Sequence, residues 1–419
     1  MFNKSLIVVV TVVGAAASPG LALADSSSVV LYGYLSPDFS VSRTSGATSV
    51  GSAVSSLTAP ATGNNLPTRN GVNGNVDLIG FRGTEDLGSG LKATWQFEQG
   101  FLIDTGGNYQ RNAKVGLAGA FGEVFYGFWN TPMKWITYGT ILMDPFGATD
   151  TASNESIMGS PGFNFGNSAW GSNGGTWGSF NGPVNAHFDL YGANSVNYYT
   201  PNWAGFSAQL QYSANEGKGR LSPAGGANII NPYMVSGAVL YTAGPLALSA
   251  AYEQHKDQFG IFAITGFANS ATSSEDHLWR VNAGYLFWGS TTVNVAYERL
   301  QYSDTGALAG VTDYRRNAWQ VGASHTMGAH TIRARFNKAG AGSCETVGGG
   351  CTTSNLGAKE VAVGYEYALS KRTQLIAYYA KIDNESSAQY SFGFGSPIAG
   401  GAAAGADSQA IGLGLRHGF

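Results

Sequence analysis

Apolar residues alternate with small or polar ones in short segments along most of the chain. This period of two constrains the fold more than any other feature. The clearest segments are "LKATWQFEQGF" from Leu91, "LALSAAYEQ" from Leu246, "TTVNVAYERLQY" from Thr291 and "VAVGYEYALS" from Val361. In the third, Val293, Val295 and Tyr297 share one face, and Asn294, Ala296 and Glu298 share the other. A strand of that kind separates an apolar medium from a polar one. No segment sustains a 3.6-residue apolar period, and none has the roughly 18 apolar residues that a membrane helix needs.

The connections alternate between two lengths. Short ones carry turn chemistry, as in "TEDLGSG" at Thr84, "AFGE" at Ala120, "NWAG" at Asn202, "TAGP" at Thr242, "WGST" at Trp288, "TMGAH" at Thr326 and "LSKR" at Leu369. Between them lie Gly-, Ser- and Asn-rich loops near residues 42–74, 132–190, 216–231, 255–276, 303–314, 338–357 and 383–406, with a shorter one near 102–110. Strands counted between these connections number sixteen. An even count, with turns on one side and long loops on the other, is the plan of an outer-membrane β-barrel. The last segment, "AIGLGLRHGF", alternates up to Phe419. A strand ordered to its end must give its backbone hydrogen bonds to a neighbour. Pairing with the first strand, "VVLYGYL" from Val29, would close the barrel and leave no edge in lipid. Tyr32, Phe101, Tyr252, Tyr302 and Phe419, at strand ends, match an interfacial aromatic girdle.

The 419 residues carry a net charge of −3, only 12% are charged, and no basic or acidic run offers a nucleic-acid partner a phosphate-binding face. Lys4, an apolar stretch at 6–17 and "ALA" at 22–24 read as a signal peptide over residues 1–24, which leaves a barrel domain at 25–419. Export places the two cysteines, Cys344 and Cys351, in an oxidising compartment, where they can close a small loop disulfide around "ETVGGG". With no histidine or third cysteine near them, they do not read as a metal site.

Catalysis leaves no trace in the pattern. His187, His255, His277, His325, His330 and His417 form no HExxH pair and read as loop or lumen histidines, and no GxSxG elbow surrounds a serine. Glu298 and Glu366 lie mid-strand on polar faces and read as solvated lumen carboxylates. The chain is expected to be no enzyme and to need no cofactor.

"GFRGTEDLGSGLKATWQFEQG", residues 80–100, closely resembles the signature hairpin of sixteen-stranded general porins of the β-proteobacterial type. "QRNAKVGLAGAFGEVFYG" from Gln110, "DPFG" from Asp144, "NSVNYYTPNWAGFSAQLQY" from Asn194 and "GLRHGF" at the end extend the resemblance, in order, over the whole mature chain. The resemblance implies a homotrimer in the outer membrane, a multi-pass barrel in contact with lipid, and a third long loop folded into the pore. It also implies that the outer-membrane assembly machinery reads Phe419. In the family, wall arginines face loop carboxylates. Arg111 matches one such arginine, whereas Leu78, Phe128 and Tyr191 stand where relatives carry others. Strand alternation would send Val115 and Leu117 to lipid, and Arg111 shares their parity, whereas the family match places all three inside against the loop.

The expected constriction therefore comprises Arg111, Phe128, Trp129 and Tyr191 from the wall, with Asp144, Asp150 and Glu155 from the loop at 132–190. That loop is rich in rings: Trp135, Trp170, Trp177, Tyr138, Phe146, Phe163, Phe165 and Phe180 outnumber its carboxylates. Loss of three arginines should flatten the transverse field and tip ion preference away from anions, unless Arg82, Arg280 or Arg316 fills the vacant positions. The expected function is passive diffusion of small hydrophilic solutes and ions through a water-filled channel. Two alternatives are a channel preferring neutral or aromatic solutes, which would meet the rings of Phe128, Trp129 and Trp135, and a surface adhesin acting through the long loops.

Overall fold

The computed structural model describes residues 28–48, 65–74, 76–138, 146, 150–162, 187–214, 231–261, 271–393, 396–398 and 403–419. The expected signal peptide, Asp144, and the loop rings Trp170, Trp177, Phe163, Phe165 and Phe180 lie outside them.

Nineteen extended segments merge into sixteen antiparallel strands that close on themselves. Strand β1 runs Ser28–Leu35 and, past Ser36, Pro37–Ser45, and β2 runs Arg69–Gly74 and Leu78–Gly88. The next five are β3 (Leu91–Phe101), β4 (Asn108–Gly119), β5 (Gly122–Asn130), β6 (Tyr191–Tyr199) and β7 (Phe206–Ser213). Then come β8 (Tyr233–Ala243), β9 (Leu246–Lys256), β10 (Ser273–Phe287), β11 (Thr291–Thr305) and β12 (Gly310–Met327). Strand β13 joins His330–Ala339 to Ser343–Val347 along one edge of β12, and β14 (Ala358–Ala368), β15 (Thr373–Asn384) and β16 (Asp407–Gly418) complete the wall.

Closure lies between β16 and β1, with Asp407 opposite Ser45 and Gly414 opposite Asp38, and continues to His417 opposite Leu35. Phe419 adds the final pair: its carbonyl accepts from Gly33 N at 3.0 Å and its N–H donates to Gly33 O at 3.1 Å. Its ring lies over Gly33, where an added Cβ would come within 2.1 Å of it, so that position requires glycine.

Along β16, Ile411, Leu413 and Leu415 are exposed on the outer face while Ser408, Ala410 and Arg416 are buried inward. The same alternation runs round the wall and gives the two solvents that the pattern demands. Several strands outrun their expected ends. The loop expected at 303–314 shrinks to 306–309, because β11 and β12 stay paired up to Ser303 opposite Asp313. Beyond the barrel rim, β12 and β13 continue as a ladder from Arg315 opposite Ser343 to Gly310 opposite Val347, and Cys344 and Cys351 are joined there by a disulfide with Cα atoms 5.9 Å apart.

The girdle assignment needs two corrections. Tyr32 and Tyr302 have inward parity: Tyr32 donates to Glu98 in the lumen and Tyr302 is fully buried, so only the outward rings such as Tyr252 and Phe419 face the membrane border. Four histidines also differ from expectation. His325, His330 and His417 take outward parity at the short-turn end, and His277 takes it near the loop end, whereas His255 is buried inside.

Candidate functional site

The loop after β5 begins with a short helix, α1 (Pro132–Tyr138), and returns to β6 through residues 187–190. Between these, 3-10 turns at Asp150–Ala152 and Asn154–Ser156 lie inside the barrel, and residues 151–162 are buried throughout. Such tight turns leave carbonyls without intrahelical partners, and the barrel wall supplies the donors. Arg316 of β12 donates Nη2 to Ile157 O at 2.8 Å and Nε to Ser160 O at 2.9 Å. Asn154 donates to Gln320 at 2.8 Å, and Tyr314 donates to Pro161 O at 3.2 Å.

Glu298 of β11 is the centre of this anchorage. It accepts from Arg316 Nη1 at 2.8 Å, from Arg280 Nη2 at 2.7 Å and from the Gly159 backbone N–H at 2.9 Å. Arg280 of β10 in turn holds the far end of the loop with a two-pronged bond to Asp189, at 2.7 and 2.8 Å, and touches Thr137 of α1 at 2.6 Å. Lys134 of α1 pairs with Glu155 at 2.8 Å and donates to Asp189 O at 3.0 Å, so the two ends of the loop are tied to each other. Gly159 (φ +69°) sits where a Cβ would lie 2.7 Å from the Asp189 carboxylate. Glu298 is therefore no solvated carboxylate: it is fully buried and joins two guanidinium groups to the loop backbone. Arg280 and Arg316 do not fill the vacant charge positions either, since both are buried and neutralised where they stand. Burial pushes the His187 imidazole in the returning segment down to about 4, so it is neutral at physiological pH.

The opposite wall carries the open side of the channel. Glu98 of β3 accepts from Tyr32 at 2.8 Å and Gln96 at 2.9 Å, and Arg111 lies 3.5 Å from its other oxygen. A β-bulge places Arg111 there. Phe97 faces Ala113 but Gln99 faces Gln110, so Arg111 and Asn112 together oppose the single residue Glu98 and both turn inward. Below the bulge the ordinary alternation resumes, and Val115 and Leu117 are 61% and 45% exposed on the outer face. The inward placement expected for these two is thus corrected, and the shared parity with Arg111 is broken by one extra residue.

Around this wall nearly every charge has a partner. Lys114 pairs with Glu123 at 2.5 Å, and Glu366 of β14 holds both Arg333, at 2.7 Å, and Arg416. Arg82 stays exposed, its guanidinium 5.0 Å from the Tyr32 ring centroid. Trp129 faces inward but is 7% exposed, donating to the Tyr199 hydroxyl at 2.9 Å beneath Lys114. Phe128 keeps the outward parity of Tyr126. With Gln110, Tyr126 and Val196 it lines a crevice of about 520 Å³ on the outer side of the wall, which corrects its placement in the constriction. Tyr191 stacks flat on Phe128, ring centroids 5.1 Å apart, and its ring lies 5.5 Å from Lys134 Nζ. The Asp150 backbone starts a 3-10 turn inside the lumen, and Glu155 is taken up by Lys134. Asp189 and Lys134, which hold the loop, were not singled out by sequence; a lysine and an aspartate at the two ends of one long loop are the only local signal.

A closed sixteen-stranded barrel with a polar lumen narrowed by an inserted loop defines a transmembrane diffusion channel. The chain belongs to the Gram-negative porin family, whose model matches residues 10–387, and it forms a porin of the outer membrane. It is similar to outer membrane porin protein 32 of Delftia acidovorans, with 28% identity over 81% of this chain and 84% of that one. Among solved structures it superposes on an anion-selective porin from Comamonas acidovorans, with a TM-score of 0.69 and 24% identity over 94% of this chain and 100% of that one. It also superposes on the trimer form of an outer membrane protein of Vibrio cholerae, with a TM-score of 0.56 and 15% identity over 94% of this chain and 100% of that one.

Proposed function

We propose that this porin passes small hydrophilic solutes and ions by passive diffusion with little preference for the sign of charge. The carrying observation is the pairing of lumenal charge: Arg111 with Glu98, Lys114 with Glu123, and Arg333 and Arg416 with Glu366. Paired charges present dipoles rather than a one-signed field, and a selective field needs a surplus of one sign across the narrowest section. The residues of the loop outside the described set add a single formal charge, Asp144. A preference for aromatic solutes loses its support, because Trp129 is covered and Phe128 lies on the outer side.

The chain assembles as a homotrimer in this reading, with the outer surface of β2 to β8 as the subunit contact. Among the described residues no lysine or arginine projects outward from these seven strands, whereas β9 to β16 and β1 carry several. Phe419 serves as the mark by which the assembly machinery recognises the unfolded chain, and export removes residues 1–24. Swelling of liposomes containing the purified protein tests the channel. Uncharged sugars of increasing size should enter at rates that fall steeply with size; no swelling with the smallest sugar would overturn the reading.

A further inference from the structure

Strand β14 alternates cleanly: Val361, Val363 and Tyr365 are exposed on the outer face, while Ala362, Gly364 and Glu366 point inward. A glycine in the middle of a strand weakens it and marks a place where something comes close to the backbone. The inward residues beside it are small too. Ala362, Ala380 of β15 and Ala410 of β16 stand opposite one another in a row, and Gly364, Tyr378 and Gly412 form the next row. The Tyr378 ring lies over Gly412, where an added Cβ would come within 2.4 Å of it, and its hydroxyl donates to Asp38 at 3.2 Å. Gly364 is the other gap in this flat patch of wall.

Phe146 fills that gap. Its ring belongs to the inserted loop, is 3% exposed, and has Cε1 2.6 Å from the position that a Gly364 Cβ would take. Arg335 of β13, held by Glu360 at 2.9 Å, lies over the same ring with its guanidinium carbon 5.4 Å from the centroid. Phe146, Ala362, Tyr378, Ala380 and Ala410 form one buried cluster with Ile157 and Met158 from farther along the loop. The helix α1 rests on β8 and β9, and Glu298, the centre of the loop's polar anchorage, is on β11. Phe146 is thus a second hold on the loop, on the far side of that anchorage and made by shape rather than by charge.

We infer that Phe146 is a positioning residue for the channel: seated over Gly364, it keeps this part of the inserted loop flat against the β14–β16 wall and so keeps the passage along the opposite wall open. A side chain at Gly364 would occupy the ring's place and push the loop toward the passage, because a packed interior has no spare volume to absorb it. The inference rests on the protein's being an open channel, which liposome swelling with the unaltered protein tests separately.

The test is single-channel conductance of the purified porin in planar bilayers, with heat-modifiability on gels to show that each variant is folded. Valine suits a strand, so Gly364→Val should fold, and its conductance should drop about twofold as the passage narrows. Phe146→Ala leaves the wall untouched and should add frequent brief closures, because the freed loop then visits the passage. The double variant Phe146→Ala/Gly364→Val places the new side chain in the volume that the ring vacated, and should recover most of the conductance that Gly364→Val loses. Gly350→Val, at an exposed glycine with open space around it, should leave conductance unchanged. Steady wild-type conductance in a folded Gly364→Val or Phe146→Ala, a double variant that loses as much as the two single variants together, or an equal loss with Gly350→Val would each overturn the assignment. Should Gly364→Val fail to fold, Phe146→Ala decides alone, with steady wild-type conductance as the contradicting result.

Discussion

Glu298 neutralises two buried arginines that hold the loop and itself accepts a loop N–H, so its charge ties the anchoring groups together. Removing one partner of a buried ion pair leaves an uncompensated charge and costs about 3–5 kcal/mol. Glu298→Gln keeps the shape and removes the charge from between Arg280 and Arg316. The expected outcome is a barrel that still inserts but holds its loop loosely, with a larger and noisier single-channel conductance and a lower unfolding temperature. A planar-bilayer recording identical to wild type would show that the anchorage lies elsewhere. The alternation of β11 showed that Glu298 faces inward but not that it is dry, because the loop that covers it, bonding through the Gly159 N–H, and the Asp189 that completes its network come from far away in the chain. Asp189 and Arg280, for example, are 91 residues apart.

At the scale of elements, the strands were legible because each one repeats a local rule, and the wall could be counted from its turns. The bulge in β4 was not legible. One unpaired residue leaves no trace in composition, yet it reverses the parity of everything above it, and so Arg111 faces the lumen while Val115 faces lipid. Strand β16 shows the opposite case, where the alternation up to Phe419 foretold the closing ladder. Deleting Phe419 removes two backbone bonds to Gly33 and exposes the bare glycine, and should reduce the yield of heat-modifiable folded protein several-fold on a gel. The disulfide belongs to a different element. It lies on the β12–β13 ladder beyond the rim, and a loop so short contributes about 2–3 kcal/mol at most, acting on that hairpin alone. Cys344→Ser/Cys351→Ser should leave folded yield and conductance unchanged, while protease susceptibility of the hairpin rises.

For the whole molecule, the loop is anchored to the β10–β12 side of the lumen and leaves an opposite wall whose charges, the exposed Arg82 aside, are largely matched in pairs. The fold and the inserted loop could both be read from the chain. The fate of the remaining arginines could not, because sequence shows that Arg280 and Arg316 exist but not that both are buried against the loop. A lumen balanced in this way should discriminate weakly. It should also become selective when one carboxylate is neutralised, and Glu366 is a suitable place because it pairs with both Arg333 and Arg416. The most direct measurement is the reversal potential across a bilayer under a tenfold potassium chloride gradient. The wild-type channel should give a value near zero, and Glu366→Gln should shift it several-fold in permeability ratio toward anions. A strongly anion-selective wild type that loses its selectivity with Arg111→Ser would contradict the balanced lumen.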